Sequence, residues 1–439
     1  MFLLEKYIIW FLEGKNMNPN KMIVFKKNTK STFFWNMVGG FCNSITSFLL
    51  LLFVTRILGS EEAGIFSFAF AIAQLMLTIG KFGMRAYQST DVQKNIRFST
   101  YLVSRLITSL IMVLASCIYT IGNNYESRKQ FIILLVCLIK ISDAVEDIFH
   151  GELQRIGQLD VAGKLLTLRN IFTLFIFAVS LYITRNLLCT CLISAVLSIF
   201  VTFLINIWGV YKCCEITFGC NLQDLKRLFI ECFPLFIASF LSLYIYNAPK
   251  NAIDRLLSYD YQTYYSVLFM PTFVINLFSE FAFKPVITNL ALYWETFEIK
   301  FFSKIVYGVL TLIVLLTVSV ILVASFLGIP ILSFMYGVNL SYYKVELLIL
   351  LAGGGFGAGA YFLYNVLTSM RKQKIILIGY TVVAVIATIL SPDLVKHYHM
   401  IGAALSYFCS IVTLFFFFFL MLLITIFLRK GSIKYEMDR

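Results

Sequence analysis

The sequence predicts an all-α integral membrane protein of about 12 transmembrane helices in two pseudo-symmetric six-helix bundles. Composition is the first ground. Of 439 residues, 60% are hydrophobic and only 13% charged, and the mean hydropathy of +0.85 exceeds what a water-soluble domain carries. Continuity is the second: apolar runs long enough to cross roughly 30 Å of hydrocarbon recur without apolar/polar alternation, which excludes a barrel. The third is an internal echo between residues 56–85 and 255–284.

The runs fall near residues 33–54, 62–82, 98–121, 131–149, 166–184, 187–210, 232–248, 262–283, 305–327, 346–368, 375–391 and 401–428. They divide the chain into an N-terminal segment (1–32), a first bundle (33–211), a linker (212–230), a second bundle (231–428) and a tail (429–439). The opening "MFLLEKYIIWFL" is apolar but too short to span, and it has no small-residue cleavage site. Either it lies along the inner surface or translation starts at Met17 or Met22, leaving "KMIVFKKNTK" as a cationic lead-in. Lys and Arg crowd the two ends of the chain and the even-numbered joints and are sparse in the odd ones, so both termini face the cytoplasm. The net charge of +13 is thus an orientation signal, and no nucleic-acid partner is expected.

Of seven prolines only Pro19 precedes residue 230, so the second half is expected to be the more deformable, with Pro271 bending the eighth span. "GGGFGAG" (353–359) opens the tenth span to close packing; no strand precedes it and lipid surrounds it, so it is no phosphate-cradling loop. Most cysteines sit inside spans as small hydrophobes, and Cys213, Cys214 and Cys220 lack the spacing and the histidine of a zinc site. His397 and His399, in an outer joint, read as structural. No cofactor or metal is expected.

Laid without gaps on "RLLSYDYQTYYSVLFMPTFVINLFSEFAFK" (255–284), the stretch "RILGSEEAGIFSFAFAIAQLMLTIGKFGMR" (56–85) matches Arg56 with Arg255, Leu58 with Leu257, Ser67 with Ser266, Phe70 with Phe269 and Phe82 with Phe281. Glu61 meets Asp260, and Arg85 meets Lys284. With an even number of spans per half, both halves enter from the same side, and the repeat is parallel about an axis along the membrane normal.

A charge at the bilayer centre costs about 2.5–3.5 kcal/mol on insertion scales, so each one retained needs a partner or a wet cavity. The candidates are Arg105 in the third span, Lys140, Asp143, Glu146 and Asp147 in the fourth, and Glu280 and Lys284 in the eighth; Arg85 closes the second. Lys140, Asp143 and Glu146 are three apart and share a helical stripe within reach of Arg105. Two readings stand side by side. In one, the acids form a structural ion network, Glu280 and Lys284 neutralise each other, and Arg85 and Lys284 anchor the inner surface. In the other, Arg85, Lys284, Lys140 and Arg105 line a hydrated cleft that binds a diphosphate whose lipid tail stays in the bilayer. Glu280, Asp143 and Asp254 are then the acids that pair with these cations or sense a coupling ion.

Three stretches resemble the polysaccharide-repeat flippases. "NMVGGFCNSITSFLLLLFVTRILGSEEAGIFSFAFAIAQLMLTIGKFGMRAYQSTDVQ" (36–93) is similar to their opening, with its R-x-L-G-x-x-x-x-G joint, the F-G near the end of the second span and the Arg that follows. "NAIDRLLSYDYQTYYSV" (251–267) resembles their seventh-to-eighth joint, although the glycine common at "LLSYDYQT" is absent, and "PILSFMYGVNLSYYKVELLILL" (330–351) resembles the loop before the tenth span. The resemblance covers about 33–428 and implies the fold of the superfamily that includes the multidrug and toxic compound extruders, a V of two bundles that opens alternately to either side. It implies transport of undecaprenyl-diphosphate-linked oligosaccharide across the bacterial inner membrane for O-antigen of lipopolysaccharide, capsule or exopolysaccharide, with cations lining the cavity. The partners implied are that lipid-linked oligosaccharide, membrane lipids and the polysaccharide polymerase and chain-length machinery, around a monomer. An enzyme is not expected, because a glycan polymerase or ligase needs a sizeable outer loop and the longest outer joint, 328–345, is short. A small-molecule or drug antiporter, which would prefer acidic lining, is the nearer alternative.

Overall fold

The computed structural model describes residues 29–437 except 91–95, 124, 157, 212–220, 284, 285 and 371. The described residues form helices joined by short connections. In order these are α1 (Thr29–Leu58), α2 (Ser60–Lys81), α3 (Met84–Thr90), α4 (Phe98–Gly122), α5 (Ser127–Arg155), α6 (Leu159–Thr184), α7 (Leu187–Tyr211), α8 (Leu222–Leu256), α9 (Tyr259–Phe283), α10 (Ile287–Glu295), α11 (Ile299–Tyr336), α12 (Lys344–Ser369) and α13 (Gln373–Met437). Nine of them are long and apolar enough to cross a membrane. α5 falls outside that group because it carries Lys140, Asp143, Glu146 and Asp147. α13 breaks at His399 (φ 51°, ψ −122°) into two limbs, 373–398 and 400–437, where Gly402 backs directly onto the carbonyl of Leu394. The outer joint expected at 392–400 is therefore a tight helical corner.

Several helices outrun their apolar stretches. α8 continues to Leu256 through Pro249, and α11 runs from Ile299 through Pro330 to Tyr336, which shrinks the expected joint 328–345 to 337–343. Backbone N–H and C=O groups near hydrocarbon must be bonded internally, so a helix persists until a cap can release it. For α11 that cap is Gly337, whose φ of 72° suits glycine and whose N–H reaches the Ser333 carbonyl at 2.8 Å.

In the first half α1 packs on α6, and α5 lies among α2, α4 and α7; in the second half α12 and α8 pack on α13, and α9 and α11 on α12. Leu106, Ile118, Phe175, Ile183, Phe200 and Phe326 stay exposed, as the lipid-facing side of a bundle requires. α12 admits its neighbours through small residues. A Cβ on Gly353 would lie 2.7 Å from Tyr407 of α13, one on Gly354 2.9 Å from Thr272 of α9, and one on Gly355 against Thr317 of α11. Gly355→Val is expected to destabilise the fold by about 1–3 kcal/mol through overpacking, read as a lower melting temperature in detergent. Gly40→Ala, where nothing lies within 4 Å, is the control.

The two halves meet along α2 and α9, and the contacts come in reciprocal pairs. Ser67 and Ser266 hydrogen-bond hydroxyl to hydroxyl. Gly64 backs onto the Tyr259 carbonyl, while Thr263 donates to the Ser60 carbonyl at 2.6 Å; in the internal alignment Ser60 and Gly64 stand where Tyr259 and Thr263 stand. Arg56 donates to the Met335 carbonyl at the end of α11 (2.6 Å), and Arg255 donates to the Asn123 side chain at the end of α4 (3.2 Å). Each arginine thus meets the negative end of a helix in the opposite half. Contacts of the form i to j and j to i are what a two-fold axis between the halves produces. One pair has no counterpart: Lys129 of α5 bonds Asp254 of α8, their side chains 4% and 1% exposed, with the rings of Phe68, Tyr125 and Tyr259 within 4.8 Å of the ammonium. All of these contacts lie at the end of the molecule that carries the joints 58–60 and 257–259, called the distal end below.

Candidate functional site

Behind this seam, α1, α2, α8 and α9 enclose a cavity of about 400 Å³. Each helix presents one face to it. On α8 that face is Leu243, Tyr246, Asn247 and Lys250, spaced at three and four residues. Each of the four helices contributes one carboxamide: Asn43, Gln74, Asn247 and Asn276. A carboxamide both donates and accepts, so the four can bond to a polyoxygen group from several directions. Lys250 supplies the charge. Its ammonium has no ion pair or hydrogen-bond partner among the described residues. Pro249, just before it, has no N–H for the Ile245 carbonyl, which leaves that acceptor free one turn away. An unpaired ammonium at membrane depth is tolerated only where water or an anion reaches it.

A second group of charges lies behind the first-half wall of the cavity. Asp143 accepts from Lys140 Nζ at 2.7 Å and from Arg169 Nη1 at 2.6 Å, and Arg169 Nε lies 2.7 Å from Glu146 Oε2. His150 Nε2 is 3.6 Å from the other Glu146 oxygen. The Lys140 ammonium sits over the Phe70 ring, 4.5 Å from its centroid. A void of about 30 Å³ separates this network from the cavity, and Asn43, Ser47, Phe66 and Phe70 line both spaces. The network is therefore one layer of side chains away from the cavity. Toward the opposite end, Arg105 is 2% exposed and bonds the Gly80 carbonyl and, at 3.0 Å, Asp147. Arg85, on the short helix α3, lies 3.7 Å from Asp147 and 3.4 Å from Gln154.

The residues expected from sequence thus separate into three places. Lys140 and Asp143 belong to the network beside the cavity, with Arg169 as their partner. Arg85 and Arg105 are not among the residues that line this cavity; both engage Asp147, Arg105 from a buried position and Arg85 with its side chain 36% exposed. Asp254 lies in the distal seam with Lys129. Lys284 and the Glu280 side chain fall outside the described residues. Sequence reasoning passed over Lys250 and Arg169. Lys250 follows a proline two residues beyond an apolar run, and only the continuation of α8 to Leu256 reveals it as a residue inside the bundle. Arg169 lies near the start of its span, where a cation reads as an interface residue; its position on the face opposite Asp143 and Glu146 was the signal available.

Residues 30–291 match the family model described as "Polysaccharide biosynthesis protein". The chain belongs to this family. Within curated proteins it is similar to the capsular polysaccharide biosynthesis protein CapF of Staphylococcus aureus, 24% identical over 384 residues that cover 87% of this chain and 94% of that one. Among solved structures it is similar to a multidrug resistance MATE family transporter of the MOP superfamily in an inward-facing conformation (TM-score 0.67, 12% identity, 91% of this chain and 96% of that one). It is also similar to a MOP superfamily transporter from Pyrococcus furiosus whose binding pocket is described as having reverse polarity (TM-score 0.63, 12% identity, 91% and 96%). At these identities the likeness establishes the fold. Family and fold together make the chain a multi-pass membrane protein with the MATE-like transporter architecture, in a family of polysaccharide biosynthesis.

Proposed function

We propose that the chain is a flippase that carries undecaprenyl-diphosphate-linked oligosaccharide repeat units across the bacterial inner membrane by alternating access, for capsule or related surface glycan. The observation that carries this reading is Lys250, a cation without a partner among the described residues, set among four carboxamides in the interlobe cavity. A diphosphate needs that combination, an ammonium for charge and amides for its oxygens. A cationic drug would be repelled by it, which disfavours the antiporter alternative. Both termini face the cytoplasm in this reading, as the distribution of Lys and Arg supports, so the distal seam faces outward. The two bundles, 33–211 and 231–428, rock so that this seam closes and opens while the prenyl tail stays in lipid.

The test is complementation of a strain lacking this chain. Loss of a charge-assisted hydrogen bond of about 1.5–3 kcal/mol weakens headgroup binding by about 10- to 100-fold. Lys250→Ala is therefore expected to leave little surface glycan at matched membrane levels of protein, and Lys250→Arg to retain most of it. Full glycan from Lys250→Ala would overturn the assignment.

A further inference from the structure

We propose that a pocket branching from the cavity into the second half is the subsite for the sugar ring next to the diphosphate. The proposal rests on the lipid-linked glycan reading above and adds where the glycan is recognised. The pocket has a volume of about 260 Å³, large enough for a single sugar ring, and lies among α8, α9, α12 and α13, with Ser44 of α1, Leu277 and Leu414 completing its wall. Ser242, Tyr246, Phe273, Asn276, Tyr361 and Tyr380 line it. Tyr246, Phe273 and Asn276 also line the main cavity, so the two spaces are joined.

The chemistry of the wall selects the ligand. The described lining offers hydroxyls, a carboxamide and aromatic faces, and none of these residues carries a charge. A pyranose matches this surface: one face of C–H groups that packs on a ring, and a rim of hydroxyls that needs directional partners. Tyr361 supplies such a ring face. It is stacked on Tyr364 (6.1 Å between centroids, 9° between planes) and remains 43% exposed although it lies well inside α12. The Asn276 carboxamide has no partner among the described residues. An acyl chain or lipophilic drug would bury that amide unsatisfied, and this penalty is how a polar site rejects an apolar ligand. Position agrees with chemistry. Tyr246 and Lys250 are one turn apart on the same face of α8, about 6 Å along its axis. That is the scale of a diphosphate link, so an anion at Lys250 delivers its first sugar to this pocket.

Two probes separate this subsite from the headgroup site: undecaprenyl diphosphate alone, and undecaprenyl diphosphate bearing one hexose or one N-acetylhexosamine. Binding is measured on the purified full chain in lipid nanodiscs. For the native protein at least one of the two sugars is expected to tighten binding about tenfold over the sugar-free probe. Ser242→Val and Tyr361→Leu, at positions that line the side pocket and not the main cavity, are expected to lose most of that increment while binding the sugar-free probe within about twofold of native, which also shows that they are folded. Lys250→Ala weakens both probes. If either variant cannot be purified, Ser242→Ala and Tyr361→Ala are read in the same way. A native protein that gains nothing from either sugar, or pocket variants that weaken both probes alike, overturns the subsite and leaves the diphosphate reading standing. Native protein that binds neither probe overturns both.

Discussion

Oxidation of the double variant Ser67→Cys/Ser266→Cys is expected to stop transport, and reduction to restore it. The two hydroxyls touch across the interlobe seam, which brings the two positions close to the separation a disulfide bridges. In the alternating-access reading, opening of the distal face separates α2 from α9 here. A covalent bond at this point cannot be broken by the few kcal/mol that substrate binding supplies, so the closed seam becomes permanent until reductant is added. The measurement is delivery of lipid-linked glycan to the outer surface with oxidant and after reductant, with each single cysteine variant as the control insensitive to both. If the cross-linked protein still transports at the native rate, the seam does not open during the cycle, and alternating access about it is wrong.

Arg169→Leu is expected to cost about 3–5 kcal/mol of stability, among the largest effects available to a single substitution. Arg169 is 4% exposed and the only described side chain that bonds both Asp143 and Glu146. Without it Glu146, itself 4% exposed, faces His150 alone, whereas Asp143 retains Lys140. The double variant Arg169→Leu/Glu146→Leu removes the stranded carboxylate with its partner and is expected to recover part of the loss. Thermal unfolding of the detergent-solubilised proteins orders the three. A single variant that melts with the native protein would show that the network contributes nothing to the fold.

Much of this architecture is legible in the chain because lipid imposes a simple rule, that every spanning segment is apolar and helical. Ser67 and Ser266, aligned by the internal echo, meet at the seam, and the glycines of 353–359 fall where α12 is most closely packed. The candidate site was less legible for a related reason. The apolar pattern marks what faces lipid, whereas α8 and α11 extend beyond it because their backbones need internal partners, and Lys250 lies in such an extension. Charge in a span says that a partner is needed but not which one. Arg105 could meet any of the acids on α5, and only the depth of α4 against α5 selects Asp147. The sequence also holds no signal for a carboxamide in a cavity wall, since Asn43 and Asn276 look like any other polar residue within an apolar run.

The small residues at the centre of the distal seam have a mechanical consequence. Gly64, Ser67, Thr263 and Ser266 hold α2 against α9 through short contacts, whereas Arg56 and Arg255, both exposed, reach across to the ends of α11 and α4 with long side chains. In the alternating-access reading, separation of the halves lets these guanidiniums exchange carbonyl and amide oxygens for water at small cost, and the buried Lys129–Asp254 pair is the costlier contact to break. Thr55 stands at the position equivalent to Asp254 in the internal repeat and cannot form such a pair, so a joint otherwise built of reciprocal contacts carries one ionic clasp without a twin among the described residues.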